Sequence, residues 1–121
     1  MTLRIGLLGA SRVAKYAAIA AAKDVEGVEI TAIASRDPDK ALSYARENNI
    51  ALAFGSYQDL IESDAVDAIY NGLPPNLHAQ WSIAAVEAGK DVLCEKPFAL
   101  DVSDVEAMLS AEAKTNRLIM E

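Results

Sequence analysis

The chain has 121 residues, the size of one domain, of which 52% are hydrophobic and 24% charged. This composition predicts a soluble globular domain and excludes a disordered or fibrous chain. The net charge is −7 and the eleven Lys and Arg residues are scattered, which argues against a nucleic-acid or anionic-membrane partner.

The rare residue types narrow the chemistry further. The single cysteine, Cys94, cannot form an intramolecular disulfide, and the single histidine, His78, leaves no cluster with metal-ligand spacing. The apolar run at residues 17–22 is too short to cross a bilayer. We therefore predict a cytoplasmic protein with no metal site and no membrane segment.

The chain opens on an apolar strand ending at Leu8, followed by a Gly9 turn and a helix over residues 12–22. Backbone N–H groups at such a helix start form an anion site. The turn is a degenerate Gly-x-Gly-x-x-Gly/Ala fingerprint, with Ser11 at the second glycine position and Ala14 at the third. Because this pattern also occurs in domains that bind no nucleotide, alone it leaves cofactor binding open. The helical spacing places four apolar residues on one face: Val13, Tyr16, Ala17 and Ala20.

The middle of the chain alternates strands and helices. Strands are predicted at residues 28–34, 50–54 and 65–70 from their β-branched and apolar content. Asp37 and Pro38 predict the capped start of a helix over residues 38–47, and Ser56 caps a short helix over residues 57–62. The inward residues of the first of these helices are expected to be Ala41, Leu42 and Ala45.

The last third repeats the alternation after a loop at residues 71–75, where paired prolines forbid a helix. A helix over residues 76–88 ends at Gly89, and a strand over residues 91–94 follows. Either Asp101 or Ser103 opens a final helix, before a last strand at residues 118–120. The inward faces are expected to hold Ala79, Ile83 and Val86 in the first helix and Val105, Met108 and Leu109 in the second.

This alternation predicts an α/β fold with a doubly wound parallel sheet. Polar clusters follow four of the strands, at residues 9–12, 35–36, 71–75 and 95–97. Ligands of such folds bind outside the carboxyl ends of the strands, so we expect these clusters to form one site.

Two blocks, Leu-Pro-Pro-Asn-Leu-His at residues 73–78 and Glu-Ala-Gly-Lys-Asp-Val-Leu-Cys-Glu-Lys-Pro-Phe-Ala-Leu at residues 87–100, carry a family resemblance. At this spacing the sequence resembles the N-terminal domain of the Gfo/Idh/MocA oxidoreductases, and it departs from them mainly at Ser11, where the family often has Gly. The resemblance covers essentially the whole chain and implies a Rossmann domain, residues 1–121, that binds NADP or NAD. It also implies a second, substrate-binding domain that this chain lacks, so we expect cofactor binding with little turnover.

The resemblance implies roles for particular residues. The pyrophosphate turn comprises Gly9, Ala10, Ser11, Arg12 and Val13, and the adenosine ribose meets Ser35 and Arg36. The other implied cofactor contacts are Gly72, Leu73, Pro74, His78, Glu95, Lys96 and Pro97.

The end of the second strand bears on the choice of cofactor. A Ser-Arg pair suits a ribose 2′-phosphate, whereas an acid there would bind a free 2′-hydroxyl, so Ser35 and Arg36 favour NADP(H). Asp37 is the alternative ribose ligand, although a role as helix N-cap is also expected of it.

Lys96 is the implied catalytic residue, placed near the nicotinamide to orient the reacting oxygen and stabilise alkoxide charge. Glu95 either pairs with Lys96 or holds the loop, and Pro97 shapes the backbone, with a cis peptide as one option. His78 is expected to line the nicotinamide side without acting as the acid or base. Cys94 is interpreted as a small buried hydrophobe.

The implied parent reaction is hydride transfer between a nicotinamide and a secondary alcohol or ketone of a sugar, polyol or similar substrate. A non-catalytic NAD(P) sensor is the rival interpretation, and Lys96 argues against it because a sensor needs no cation at the nicotinamide. A scaffold domain without a ligand is a further alternative. An exposed apolar face would also allow a homo-oligomer.

Overall fold

A computed structural model describes all residues, 1–121, and contains one six-stranded sheet with the order β3-β2-β1-β4-β5-β6. Every strand pair is parallel. The strands are β1 (Leu3–Leu8), β2 (Val28–Ala34), β3 (Leu52–Phe54), β4 (Ala68–Asn71), β5 (Asp91–Cys94) and β6 (Ile119–Met120). The strand order reverses between β1 and β4, which confirms the predicted doubly wound fold.

Helices connect the strands and cover both faces of the sheet. They are α1 (Arg12–Ala14), a π-helical stretch (Lys15–Ala20), α2 (Ala21–Lys23), α3 (Pro38–Asn48), α4 (Tyr57–Glu62), a 3₁₀ turn (Pro75–Leu77), α5 (His78–Glu87) and α6 (Val102–Thr115). We refer to residues 12–23, which run without a break, as the first helical segment. None of these helices has the length and apolar character that a membrane crossing requires.

The first helical segment covers the predicted residues but packs through a different face. Its buried residues are Ala14, Ala18 and Ile19, whereas Tyr16 is 78% exposed and Val13 is 50% exposed. The predicted and the buried sets of residues both have helical spacing, and the π-helical turns rotate the second half of the segment relative to its first half. The small Ala14 and Ala18 side chains allow close packing on the sheet.

Three other helices differ in detail from the expectation. In α3, Ala41 and Ala45 are buried as predicted, but Leu42 is exposed and Tyr44 is buried. Of the two candidate caps for α6, Asp101 is the N-cap, accepting a hydrogen bond of 2.9 Å from the Asp104 backbone N. In α5, Val86 is buried as predicted and Ala79 and Ile83 pack partly buried against the core, while His78, Ser82 and Ala85 are buried in addition. In α6, Met108 is buried as predicted and Ala111 is buried in addition, whereas Leu109 is exposed.

The core lies in two layers, one on each face of the sheet. The larger layer packs α4, α5 and α6 against residues such as Leu8, Ile69 and Val92. The smaller layer packs the first helical segment and α3 against residues such as Leu7 and Ile33. Adjacent residues Leu7 and Leu8 thus enter opposite layers, as expected for a strand buried on both faces.

The strands end level with one another. Leu8 pairs with Ala34 on one side and with Asn71 on the other, and Asn71 pairs with Cys94. Ala34 in turn pairs with Phe54. The loops that follow these strands therefore meet at one edge of the sheet, where the sequence predicted a common site.

The first helical segment leaves part of the sheet uncovered. Between it and strands β1, β4, β5 and β6 lies a groove of about 380 Å³, which we call the apolar groove. It is lined almost entirely by hydrophobic residues, including Ile5, Ala17, Leu93 and Met120. An apolar surface of this kind promotes association.

Candidate cofactor site

The fingerprint turn brings the backbone close to the loop after β4. Gly9 has φ +90°, a left-handed conformation that favours glycine, and a Cβ there would lie 3.1 Å from Leu73 Cδ2. Ser11 Oγ accepts a hydrogen bond of 3.3 Å from the Ala14 backbone N and caps the first helical segment. The N–H groups of the first turn lack acceptors within the helix, so this turn can bind an anion.

Tyr44 supports the fingerprint turn from α3. Its hydroxyl donates a hydrogen bond of 2.7 Å to the Ser11 backbone oxygen, and Lys15 Nζ lies 5.6 Å from the centre of its ring. Burial raises the pKa of Tyr44, so the hydroxyl keeps its proton. Sequence reasoning missed this contact, because Tyr44 and Ser11 are 33 residues apart in the chain and meet only once the sheet has formed.

Ser35 and Arg36 lie at the end of β2 as predicted. Ser35 is buried and its Oγ accepts from the Asp37 backbone N at 3.3 Å. Arg36 is exposed and lines a cavity of about 460 Å³ together with Gly55, Ser56, Tyr57, Gln58, Leu77, Gln80 and Trp81. The structure holds three ion pairs and Arg36 is in none of them, so its guanidinium can pair with an anionic ligand.

Asp37 is the N-cap of α3. Its carboxylate accepts hydrogen bonds from the backbone N of Asp39 at 2.9 Å and of Lys40 at 3.5 Å. Of its two candidate roles, the structure shows the capping role.

The loop after β4 packs against the fingerprint turn. A Cβ on Gly72 would lie 2.9 Å from Tyr70 Cε1 and 3.7 Å from Ser11 Cβ. The buried side chain of Asn71 organises the loop: its Oδ1 accepts from the Leu73 backbone N at 3.2 Å, and its Nδ2 donates to Ser82 Oγ at 3.0 Å. Within this loop Leu73 is buried and Pro74 is exposed.

His78 lies beneath the site rather than on its surface, which corrects the expectation that it lines the cleft. Its side chain is fully buried, with Nε2 2.6 Å from the Leu73 backbone oxygen and Nδ1 2.8 Å from the Pro97 backbone oxygen. The imidazole therefore joins the loop after β4 to the loop after β5. It has no surface left for a direct cofactor contact.

The loop after β5 presents Lys96 at the same edge. Lys96 is exposed, takes part in none of the three ion pairs, and precedes Pro97 through a cis peptide bond. On the far side of the proline, the Phe98 backbone N donates a hydrogen bond of 2.9 Å to Glu121 Oε2. The Lys96 ammonium can therefore act as a hydrogen-bond donor to a ligand.

Glu95 holds the loop instead of pairing with the Lys96 ammonium, which resolves the two alternatives. Its Oε2 accepts from the Tyr70 hydroxyl, and its Oε1 accepts from the Lys96 backbone N at 3.2 Å. The Tyr70 hydrogen bond is the main reason that the pKa of Glu95 is lowered.

A comparison with known protein families assigns the chain to one of them. The profile described as "Oxidoreductase family, NAD-binding Rossmann fold" matches residues 3–121, nearly the whole chain. The chain belongs to the Gfo/Idh/MocA family. The predicted resemblance is thereby confirmed.

Members of the Gfo/Idh/MocA family with similar sequences are oxidoreductases by name. An uncharacterized oxidoreductase of Rhizobium meliloti is 40% identical over 119 residues, covering 98% of this chain and 36% of the relative. A dTDP-3,4-didehydro-2,6-dideoxy-alpha-D-glucose 3-reductase of Saccharopolyspora spinosa matches with the same identity and coverage. A scyllo-inositol 2-dehydrogenase (NADP(+)) of Bacillus subtilis is 39% identical over 99 residues, covering 82% of this chain and 30% of the relative. The chain thus spans about a third of the length of these relatives.

Solved structures of the family share the fold closely. A 3-ketoreductase from Actinomadura kijaniata in complex with NADP superposes with a TM-score of 0.92 at 36% identity, covering 100% of this chain and 38% of that chain. The apo scyllo-inositol dehydrogenase from Lactobacillus casei gives a TM-score of 0.87 at 27% identity, covering 98% of this chain and 36% of that chain.

Cys94, next to this edge of the Gfo/Idh/MocA domain, takes no part in the site. It is a free, buried cysteine, and burial raises the pKa of its thiol to about 11. A buried thiol that stays protonated is a poor nucleophile. The interpretation as a small buried hydrophobe is confirmed.

Sequence reasoning missed three supporting residues, Tyr44, Tyr70 and Glu121, and it placed Asn71 in the polar cluster at residues 71–75 without predicting its hydrogen bonds. Each acts through a hydrogen bond to a loop that is distant in the sequence or that forms only at the strand ends. For Tyr70 and Asn71 one signal was available, because each is a polar side chain in an apolar strand and a polar group buried there needs a partner.

Proposed function

We propose that this chain binds NADP(H) along the carboxyl edge of its sheet, as the cofactor domain of an oxidoreductase. The observation that carries the proposal is the layout of that edge. The fingerprint turn lies centrally, with the exposed cations Arg36 and Lys96 on loops to either side and without carboxylate partners. A dinucleotide requires this order: an anion site for the pyrophosphate between an adenosine end and a nicotinamide end.

The residues present fit the pyrophosphate and the adenosine. The positive φ and absent side chain of Gly9 allow close backbone approach, and the helix start supplies N–H donors. The cavity of about 460 Å³ beside Arg36 has room for an adenine, over which the guanidinium can stack. Ser35, Ala10, Arg12 and Val13 complete the proposed contacts.

NADP(H) is preferred over NAD(H) because of the charge at the end of β2. Arg36 can pair with a ribose 2′-phosphate, whereas the nearby carboxylate of Asp37 is engaged in capping α3. Relatives named as NADP-dependent and a similar structure in complex with NADP support this preference.

Lys96 is the proposed catalytic residue. NADP(H), when bound, supplies or accepts the hydride. The Lys96 ammonium donates a hydrogen bond to the reacting oxygen of the substrate, which orients that oxygen and stabilises the negative charge that it gains as an alkoxide. His78, Glu95 and Pro97 hold the loop that carries Lys96. A cation at this end favours an oxidoreductase over a non-catalytic sensor.

The proposed reaction is hydride transfer to or from a secondary alcohol or ketone of a sugar, polyol or similar small molecule, as the names of the relatives suggest. We expect residues 1–121 by themselves to bind cofactor with little turnover, because Lys96 is the one substrate contact proposed in them and a single contact orients a substrate poorly. A cytoplasmic location and self-association stay predictions.

The test is Arg36→Ala in a titration with NADPH and with NADH, followed by the fluorescence of Trp81, the single tryptophan, which lines the Arg36 cavity. We expect NADPH affinity to fall about tenfold or more, as for loss of a charge-assisted contact to phosphate, and NADH affinity to change about twofold at most.

The matched control is Arg46→Ala, which removes the same charge from the last turn of α3, outside the Arg36 cavity. Equal losses for NADPH and NADH in Arg36→Ala would contradict the proposed 2′-phosphate contact. No binding of either cofactor to the unmodified chain would contradict the proposed function itself.

A further inference from the structure

The side chain of Tyr70 crosses from β4 to the loop after β5. Tyr70 pairs with Leu93 on the neighbouring strand, and alternate residues of a strand share a face. Glu95, two residues beyond Leu93, therefore faces the same side as Tyr70, and its Oε2 accepts the hydrogen bond from the Tyr70 hydroxyl.

Both oxygens of the Glu95 carboxylate are engaged without the Lys96 ammonium. Oε2 is bound to Tyr70 and Oε1 to the Lys96 backbone N, while the Glu95 backbone N donates to the Asn71 oxygen at 3.0 Å. Glu95 and Lys96 are adjacent in the chain and carry opposite charges, yet they form no ion pair. The two charged groups therefore stay beyond ion-pair distance, and the Lys96 ammonium is only a minor cause of the lowered pKa of Glu95.

Tyr70 is itself firmly placed. Its ring is buried, and it packs so closely under Gly72 that a Cβ there would lie 2.9 Å from Tyr70 Cε1. Burial and the Glu95 hydrogen bond both raise the pKa of Tyr70, so its hydroxyl remains a donor at neutral pH. The same hydrogen bond lowers the pKa of Glu95, so the carboxylate remains an acceptor.

We propose that Tyr70 is a positioning residue that holds the Glu95 carboxylate away from Lys96 and so keeps the lysine ammonium available to a substrate oxygen. The role of Lys96 toward a substrate oxygen rests on the proposed function, whereas the effect of Tyr70 on the Glu95 carboxylate does not. A cavity of about 290 Å³ is lined by Tyr70, Glu95 and Lys96 together with one other carboxylate, Glu121. Glu121 is engaged by the Phe98 backbone N at 2.9 Å.

The test measures how fast Lys96 is acetylated by an acetyl N-hydroxysuccinimide ester at pH 8, by mass spectrometry of its peptide and without cofactor. Only the uncharged amine reacts, and an ion pair with a carboxylate lowers its fraction. In Tyr70→Phe the ring is kept, the carboxylate loses its donor, and we expect Lys96 to react about two- to fivefold more slowly, as for a partly exposed ion pair.

The double variant Tyr70→Phe/Glu95→Gln is expected to recover the wild-type rate, because a neutral amide cannot form an ion pair. Tyr44→Phe is the matched control: it removes a hydroxyl that donates to Ser11, and we expect the Lys96 rate to stay unchanged. An unchanged rate in Tyr70→Phe with native circular dichroism would overturn the proposal. So would a double variant that reacts as slowly as the single one.

Glu95→Gln alone keeps the proposal falsifiable even if Tyr70→Phe does not fold. With Tyr70 present the carboxylate is already diverted, so we expect this variant to leave the Lys96 rate within about twofold of wild type, whereas a clear acceleration would show that Glu95 already pairs with Lys96. An NADPH titration of the unmodified chain separates the two proposals, since absent binding contradicts only the proposed function.

Discussion

At the scale of the residue, the candidate site is held by buried polar side chains that contact loop backbone. His78 is the central example, because both of its ring nitrogens lie within 2.8 Å of carbonyl oxygens, on the loops after β4 and β5. Asn71 and Ser82 extend this network within the larger core layer. A buried polar group requires such partners, and these partners in turn fix the loops.

We predict that His78→Leu lowers the free energy of unfolding by about 2–4 kcal/mol, because a loop carbonyl oxygen loses its imidazole N–H donor and the loops after β4 and β5 are no longer joined. Urea denaturation followed by circular dichroism measures this change. The control is Gln80→Leu, at an exposed position two residues after His78 in α5, for which we expect a change in the free energy of unfolding within about 0.5 kcal/mol. A His78→Leu effect no larger than the control would argue against the role of His78 in joining the loops.

At the scale of the element, two helix starts serve the site by where they begin. Ser11 caps the first helical segment at the fingerprint turn, and Asp37 caps α3 directly after Arg36. A cap fixes the residue at which the loop ends and the helix begins, and it therefore fixes the position of the arginine beside it, Arg12 or Arg36. The same residue can therefore look like a ribose ligand in the sequence and act as a cap in the fold.

For Asp37 we predict that alanine and asparagine substitutions give different results. Asp37→Ala removes the acceptor for the Asp39 and Lys40 backbone N–H groups and lowers the free energy of unfolding by about 1 kcal/mol, whereas Asp37→Asn keeps a capping oxygen and costs much less. Thermal unfolding and an NADH titration measure the two roles. Selective loss of NADH binding in Asp37→Asn, with stability unchanged, would instead indicate a ribose contact.

At the scale of the whole molecule, the Arg4 and Asp67 pair joins the start of β1 to the residue before β4. These are the two strands between which the strand order reverses. The Arg4 guanidinium donates to both Asp67 oxygens, at 3.1 Å and 2.8 Å, and the Arg4 backbone N donates to Oδ2 at 2.9 Å. Hydrogen bonds from Arg4 lower the pKa of Asp67 to about 2.

A lowered carboxylate pKa stabilises the fold above its unfolded-state value of about 4, and this contribution is lost as the pH falls towards 2. Both side chains are about 40% exposed, so solvent screening reduces the contribution to about 0.5–1 kcal/mol. We predict that Asp67→Asn is destabilised by this amount at pH 7 and that the difference from wild type shrinks towards pH 2.

Urea midpoints at pH 7, 4 and 2 measure the effect of Asp67→Asn. Glu106→Gln, which removes a carboxylate from an exposed position of α6, serves as the control and should follow wild type at each pH. A stability difference for Asp67→Asn that does not change with pH would exclude the titration of this carboxylate as its cause.

Most of the fold was predictable from local pattern. The exact bounds of β2, α4 and β5 and the cap of α3 followed from β-branched runs, capping residues and proline, each acting within a few residues. The inner face of the first helical segment was not predictable, because an alanine-rich segment has more than one apolar stripe with helical spacing. The π-helical stretch and the packing distance to the sheet decided which stripe is buried.

The sequence by itself determined the order of strands and helices, the fingerprint turn and the loop positions of Arg36 and Lys96, because these depend on local chemistry and on the parallel topology that alternation imposes. Only the tertiary structure decided that His78 is buried between two loops and that Glu95 bonds to Tyr70 rather than to the Lys96 ammonium. The His78–Pro97 and Tyr70–Glu95 contacts join residues 19 and 25 positions apart in the chain, and Glu95 had more than one partner within reach. They depend on how the strand ends meet, which no local pattern encodes.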